Sequence, residues 1–154
     1  MAKMIKGERV GKAGKLGVGC SAAVLDEEGR MLLVRRVDNG RFAVPGGYME
    51  AGESVSEACV REVKEETGLD VEVQSLIAIY SSPDRLLIYE DGNQWQLVIL
   101  HFYVEAIGGF LQASDETTEA RFFTREEALL LDLGEWDRRR VLDGFHFVGD
   151  PFIR

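Results

Sequence analysis

Cysteine and proline are scarce in this 154-residue chain, with two of the first and three of the second. Cys20 and Cys59 stand alone, with no Cys-x-x-Cys spacing and no second group of Cys and His, which excludes a disulfide framework and a zinc site. The two histidines, His101 and His146, are isolated and read as structural. No stretch reaches the roughly 18 apolar residues of a membrane span, and the first residues lack the apolar run of a secretory signal. No membrane partner is therefore expected, and the cytoplasm is the expected compartment. Positive charge is also in deficit: 18 Lys and Arg against 27 Asp and Glu give a net charge of -9, so the average surface repels a polynucleotide backbone. Long nucleic acid is excluded as the main partner. A compact anion remains open, on condition that a divalent cation neutralises it at an acidic site.

What the chain does hold is ordinary globular composition, 45% hydrophobic and 29% charged, which implies one folded core rather than a disordered or fibrous chain. Residues 1–15 carry Lys3, Lys6, Arg9, Lys12 and Lys15 against Glu8 alone and read as a basic N-terminal arm. Such an arm is either mobile or edge-packed, or it docks on a partner subunit or on substrate phosphates. Residues 16–154 read as a single domain. From Leu16 to Leu25 and from Met31 to Val34 the pattern predicts a hairpin of two mostly buried strands turning at Gly29. Arg41–Val44 is a short strand stopped by Pro45-Gly46-Gly47. Ser54–Thr67 is a helix, with Ser54 and Glu57 as a capping box and Gly68 as its stop. Val71–Ser81, Leu86–Tyr89, Trp95–Val104 and Arg121–Phe123 have strand composition, Asp91-Gly92-Asn93 is a turn, and Gly108-Gly109 breaks the chain. Arg125–Leu131 and Glu135–Phe145 are helical. The class is mixed α/β, with no repeat and no linker.

At 100° per residue, the helix places Val55, Ala58, Cys59, Glu62, Glu65 and Glu66 on one stripe, apolar in its first half and acidic in its second. Three carboxylates at i, i+3 and i+4 repel one another, and turning them toward a partly dehydrated cleft is costly without a cation. Hard oxygen donors without His or Cys suit Mg²⁺, or Mn²⁺ as a substitute. The plainer reading is a solvated acidic face. For Arg61 it is a simple helical pair with Glu57.

Gly47, five residues, Glu53, seven residues, then Arg61-Glu62-Val63-Lys64-Glu65-Glu66-Thr67-Gly68-Leu69 resembles the complete Nudix box, with no departure at a defining position. The resemblance covers the 23 residues Gly47–Leu69 and extends to the flanking elements. It implies an α/β/α sandwich with a mixed β-sheet, and a Mg²⁺-dependent hydrolase that cuts the pyrophosphate linkage of a nucleoside diphosphate joined to another moiety. Nucleoside triphosphates, ADP-ribose, dinucleoside polyphosphates and nucleotide sugars all fall in that class. By the same resemblance Glu62, Glu65 and Glu66 are metal ligands, the Gly46 carbonyl adds another, one glutamate helps activate water, and Glu53 pairs with Arg61 to brace the loop. A further catalytic acid is sought in the segment 114–119, with Glu116 ahead of Glu119. One of Arg35 and Arg36 should face the phosphates by strand alternation. Phe42, Tyr48, Tyr80, Arg85, Trp95 and Gln96 are candidates for holding the nucleoside.

Two other classes compete. One is a Nudix-fold module that senses a nucleotide without cutting it, against which the intact Glu62, Glu65 and Glu66 set speaks. The other is an isoprenoid diphosphate isomerase, for which the chain is short and neither cysteine has an evident acid partner. Oligomeric state is open. A homodimer is the most frequent symmetric assembly, with the basic arm and Leu86–Gln96 as the segments to carry it.

Overall fold

A computed structural model describes residues 2–154. In chain order the strands are β1 (Lys3–Lys6), β2 (Lys15–Val24), β3 (Met31–Arg36), β4 (Phe42–Ala43), β5 (Gly46–Tyr48), β6 (Leu69–Tyr80), β7 (Arg85–Ile88), β8 (Gln94–Gly109), β9 (Thr117–Phe123) and β10 (Phe152–Ile153). The helices are α1 (Val55–Thr67), α2 (Arg125–Leu129) and α3 (Glu135–His146), with a 3-10 turn at Val10–Ala13. Met1, the first residue of the basic arm, lies outside the described residues.

The long strand β8 is the spine. Along one edge it pairs in parallel with β2, from Lys15 opposite Trp95 to Val24 opposite Val104. Its other edge takes β7 antiparallel at its start and β6 antiparallel for the rest. β1 extends this sheet beyond β7, β5 lies outside β2, and β10 runs parallel to β6. A second sheet of three strands has the order β4-β3-β9.

Side-chain alternation along these strands makes two cores, one on each face. Cys20, Ala22, Val24 and Leu32 pack against Ala58, Cys59 and Val63 of α1. Ala23, Met31 and Leu33 point the other way, toward Ala128 of α2 and Val141 of α3. Helices therefore cover both faces of a mixed, mostly antiparallel arrangement, an α/β/α architecture. Among the described residues no helix is long and apolar enough to cross a membrane.

The structure corrects several expectations. β2 and β3 do not form a hairpin ladder: they meet only at the Leu25–Met31 bridge, then part into different sheets. Each is buried on both sides, a pattern that hydrophobicity alone reads equally well as a paired hairpin. β4 ends before Pro45, as expected, but Gly46 and Gly47 are not a mere break: they enter β5, antiparallel to Gly19–Ser21. Glycine's weak strand preference concealed this pairing, which nevertheless requires glycine, since a Cβ at Gly46 would overlap the Cys20 carbonyl. β8 runs through Gly108 to Gly109, where φ of +80° ends it. β9 begins four residues earlier than expected, and the short β10 has no signal of its own in the sequence.

One buried polar group ties two layers together and another links two strands of the sheet. The carboxylate of Asp143 on α3 accepts from the Tyr80 hydroxyl at 2.6 Å and from Arg154 at 2.8 Å, linking α3 to β6 and to the residue after β10. Burial opposes its ionisation, but Arg154, Tyr80 and Arg139 outweigh burial and hold it below the usual carboxylate range. On β8, His101 is fully buried and its Nδ1 meets the Ser21 hydroxyl at 2.8 Å. Burial first, and then the Arg140 charge, push its pKa down to about 3.

A histidine held neutral in the fold but basic when unfolded stabilises the native state above its ordinary pKa, and that contribution is lost as pH falls toward the folded value. Urea midpoints of the wild type should therefore drop as pH falls from about 6.5 toward 3. A His101→Asn variant should show a shallower decline over the same window. Parallel pH profiles for the two proteins would contradict this assignment.

Candidate active site

The site begins where β4 ends at Ala43 and the chain passes through Val44 and Pro45 into β5, antiparallel to β2. Ser54 starts α1 by accepting from the Glu57 backbone, while the Glu57 side chain accepts from the Ser54 backbone. Gly68 closes the helix in the left-handed region at φ of +79°. Glu57 is thereby committed to the cap, and Arg61 takes other partners.

The inward face of α1 differs slightly from the expected stripe. Ala58, Cys59, Val63 and Glu66 are buried, and the Glu62 side chain is 12% exposed, whereas that of Glu65 is 57% exposed. The stripe is rotated so that Val63 enters the core and Glu65 sits at its rim. The helix lies close enough to β5 that a Cβ on Gly47 would overlap the Glu62 carboxylate. One step earlier, the Gly46 N–H donates to Glu66 at 3.1 Å.

Burial and the neighbouring charges of Glu62 and Glu116 push Glu66 up to about 8, against the opposing effects of the Gly46 hydrogen bond and Arg36. Glu62 is raised as well, by burial first, with Glu65 and Glu116 adding to it and Arg61 opposing. Glu116 comes from the loop before β9, which is tied to the end of α1 where the Thr117 hydroxyl donates to the Glu66 carbonyl at 3.1 Å. Glu62, Glu65 and Glu66 also sit in the C-terminal half of α1, where the helix dipole disfavours negative charge. Lys64, the one base of that last turn, is drawn off to Asp70 and the Gly68 carbonyl.

This cluster is rich in hard oxygen donors and short of positive charge, which fits a divalent cation of the magnesium type. Among the described residues, no three His, Cys, Asp or Glu side chains already converge to hold an ion. Arg61 occupies part of the donor set, with Glu53 at 2.5 Å, Glu62 at 2.8 Å and Glu65 at 3.3 Å.

Two cavities open beside the cluster. One of about 390 Å³ is walled by Glu66, Asp115, Glu116, Thr117, Arg36 and Asp38. The larger, of about 930 Å³, shares Arg36 and Asp38 and continues past Arg41, Arg85, Tyr48, Trp95 and Trp136. Its volume lies in the range of nucleotide-sized pockets. Tyr48 and Trp95 also line an adjoining apolar groove of about 630 Å³, and the Tyr48 hydroxyl meets that of Tyr89 between the two.

Of the two arginines ending β3, Arg36 lines both cavities, paired with Asp38 at 2.8 Å. Arg35 turns away, donating to the Gly40 carbonyl over the Phe42 ring. Three candidates lie elsewhere. Phe42 packs edge-on against Phe123 in the α3-side core, Gln96 sits against Gly11, and Tyr80 is bound to Asp143. Apolar or amide side chains on a strand give no sign of which face they join until the partner strands are known. Glu119 pairs with Arg121. Sequence reasoning missed Asp38, Arg41, Tyr89, Trp136 and Arg140, which reach the large cavity from separate loops and from α3. The spacing of Trp136 and Arg140 on one helical face is the available signal, which the apolar periodicity of α3 masks.

Gly47→Ala tests the tight seat of α1 on β5. The added methyl must displace the Glu62 carboxylate or lift the helix, and overpacking of this kind costs about 1–3 kcal/mol. Urea denaturation should show that loss, while Gly52→Ala, at a position with nothing within 4 Å of an added Cβ but φ of +93°, should show only the smaller strain of a left-handed alanine.

Comparison with known proteins places this geometry. The NUDIX domain model matches residues 15–145. The chain is 44% identical over 103 residues to a Methanocaldococcus jannaschii protein named ADP-ribose pyrophosphatase, an alignment that covers 65% of this chain and 57% of that relative. It is 36% identical over 137 residues to a MutT-like protein of Streptomyces ambofaciens, covering 89% and 81%. Among solved structures, an ADP-ribose pyrophosphatase from Streptococcus suis superposes with a TM-score of 0.69 at 25% identity, covering 90% of this chain and 98% of that one. With a domain match over most of its length and the glutamate cluster seated on β5 at the position of the box, the chain belongs to the Nudix family.

Proposed function

We propose that this protein is a Mg²⁺-dependent hydrolase of the pyrophosphate linkage in a nucleoside diphosphate joined to another moiety. The observation that carries this reading is the juxtaposition of Glu62, Glu66 and Glu116, mutually repelling and partly desolvated, with Arg36 on a nucleotide-sized cavity. Such a cluster is unfavourable unless a cation and an anionic substrate meet there. The donors that would hold Mg²⁺, or Mn²⁺ in its place, are Glu62, Glu65, Glu66 and the Gly46 carbonyl. Bound there, the ion withdraws charge from phosphoryl oxygens and makes a water acidic.

The remaining work falls to side chains. Arg36 faces the diphosphate and offsets its charge. Glu116 and Glu62 flank the position of the attacking water, and a carboxylate of this group takes its proton. The water oxygen bonds to one phosphorus as the bridging P–O bond breaks, leaving two phosphate-bearing products. Glu53 and Arg61 are positioning residues that fix the loop over the end of β5. Tyr48 and Trp95 offer aromatic surface to the nucleoside. The M. jannaschii and S. suis names make ADP-ribose the first compound to assay, followed by nucleoside triphosphates and nucleotide sugars.

The test is turnover of this panel with Mg²⁺, Mn²⁺ or chelator. Metal-dependent cleavage is expected, lost with chelator. Glu62→Gln and Glu66→Gln should each lower kcat about 10²-fold or more, the size of losing one charged group from a transition-state site. Wild-type turnover in both variants at saturating Mg²⁺ would contradict the assignment. Tight nucleotide binding with no cleavage of any substrate would favour sensing instead.

A further inference from the structure

Arg61 sits between two sets of acceptors. Its Nε and Nη2 fork onto Glu53 at 2.5 and 3.1 Å, and Nη2 also reaches the Tyr48 carbonyl at 2.9 Å. Those contacts belong to the end of β5 and the loop that follows it. Nη1 faces the other way and donates to Glu62 at 2.8 Å and to Glu65 at 3.3 Å. Glu66 is outside this reach, since its carboxylate is held by the Gly46 N–H. A guanidinium is planar and permanently charged, so one edge can stay anchored while the opposite nitrogen loses its partners.

We infer that Arg61 is an exchangeable counter-ion, neutralising Glu62 and Glu65 when no metal is bound and yielding both carboxylates to the incoming ion while Glu53 and the Tyr48 carbonyl retain its other edge. This rests on the reading of Glu62 and Glu65 as metal ligands and adds a role for the arginine beyond bracing the loop. Two cations compete for one pair of carboxylates, so metal affinity depends on how firmly the loop holds Arg61. Glu53 acts through that hold. It draws the guanidinium toward the loop and makes the exchange less costly.

The experiment is calorimetric binding of Mn²⁺ alone to the wild type, Arg61→Lys, Arg61→Gln and Glu53→Gln, each first checked for a cooperative thermal transition. Arg61→Lys keeps the positive charge but loses the fork, so it separates local competition from the general repulsion of a nearby cation. The exchange predicts Mn²⁺ binding about tenfold tighter in Arg61→Lys, the equivalent of one charge-assisted hydrogen bond no longer competing. Arg61→Gln should tighten binding by at least as much. Glu53→Gln should weaken it, because Arg61 then settles on Glu62 and Glu65. These opposite signs are not expected of mere loop damage, which would weaken binding in all three variants. Unchanged or weaker binding in a folded Arg61→Lys protein overturns the exchange while leaving the metal site standing. Wild-type binding that Glu62→Gln and Glu66→Gln leave untouched would instead remove the metal assignment on which the inference rests.

Discussion

The carboxylates of Glu62 and Glu66 lie against a stretch of strand that has no side chains of its own. Gly47 lets α1 approach β5 until the Glu62 carboxylate rests on the backbone, while Gly46 lets β5 lie against β2 and donates its N–H to the Glu66 carboxylate. Nearly everything else in the molecule follows from keeping that contact. β5 is fixed by antiparallel pairing to β2, and β2 by a ten-residue parallel ladder to β8. The helix is fixed at its start by a capping box, along its face by Ala58, Cys59 and Val63, and at its end by the Thr117 hydroxyl. Desolvated acids are thus held in place by packing that would tolerate neutral side chains more readily, which is the expected signature of a site whose geometry serves chemistry.

The cluster and the cavity come from different layers. The acids stand on α1 and on the loop before β9, whereas the walls come from β3, β5, the β7–β8 turn and the start of α3. Arg36 joins the two because the end of β3 borders both. The opposite core supports this arrangement at a distance. Asp143 and His101 are buried polar groups in this part of the molecule: Asp143, through Tyr80 and Arg154, locks the helix that supplies Trp136 and Arg140 to the cavity, and His101, through Ser21, links β8 to β2.

The chemistry was legible in the sequence before the architecture was. Ser54, Glu57 and Gly68 mark the ends of α1 by local physics, and the three glutamates follow from helical spacing. Glu65 was misplaced toward the interior because a 100° projection does not know where the helix is centred. Val63, which the stripe did not include, is fully buried. The pairing of β2 with β8 rather than β3 could not be read from pattern, since strands buried on both sides lose the alternation that reveals a partner. Phe42 and Gln96 show the same limit within the site, as composition named them but only the sheet decides which side they face. Asp38, Arg41 and Tyr89 reach the cavity from turns whose positions depend on the whole fold.

The most direct test of the account is to run a nucleoside diphosphate derivative to completion with Mg²⁺ in ¹⁸O-labelled water and weigh the products. The account predicts one labelled oxygen on the phosphate of one of two phosphate-bearing products, as required when water attacks phosphorus and the bridging bond breaks. Unlabelled products, or label on carbon with the pyrophosphate intact, would contradict it.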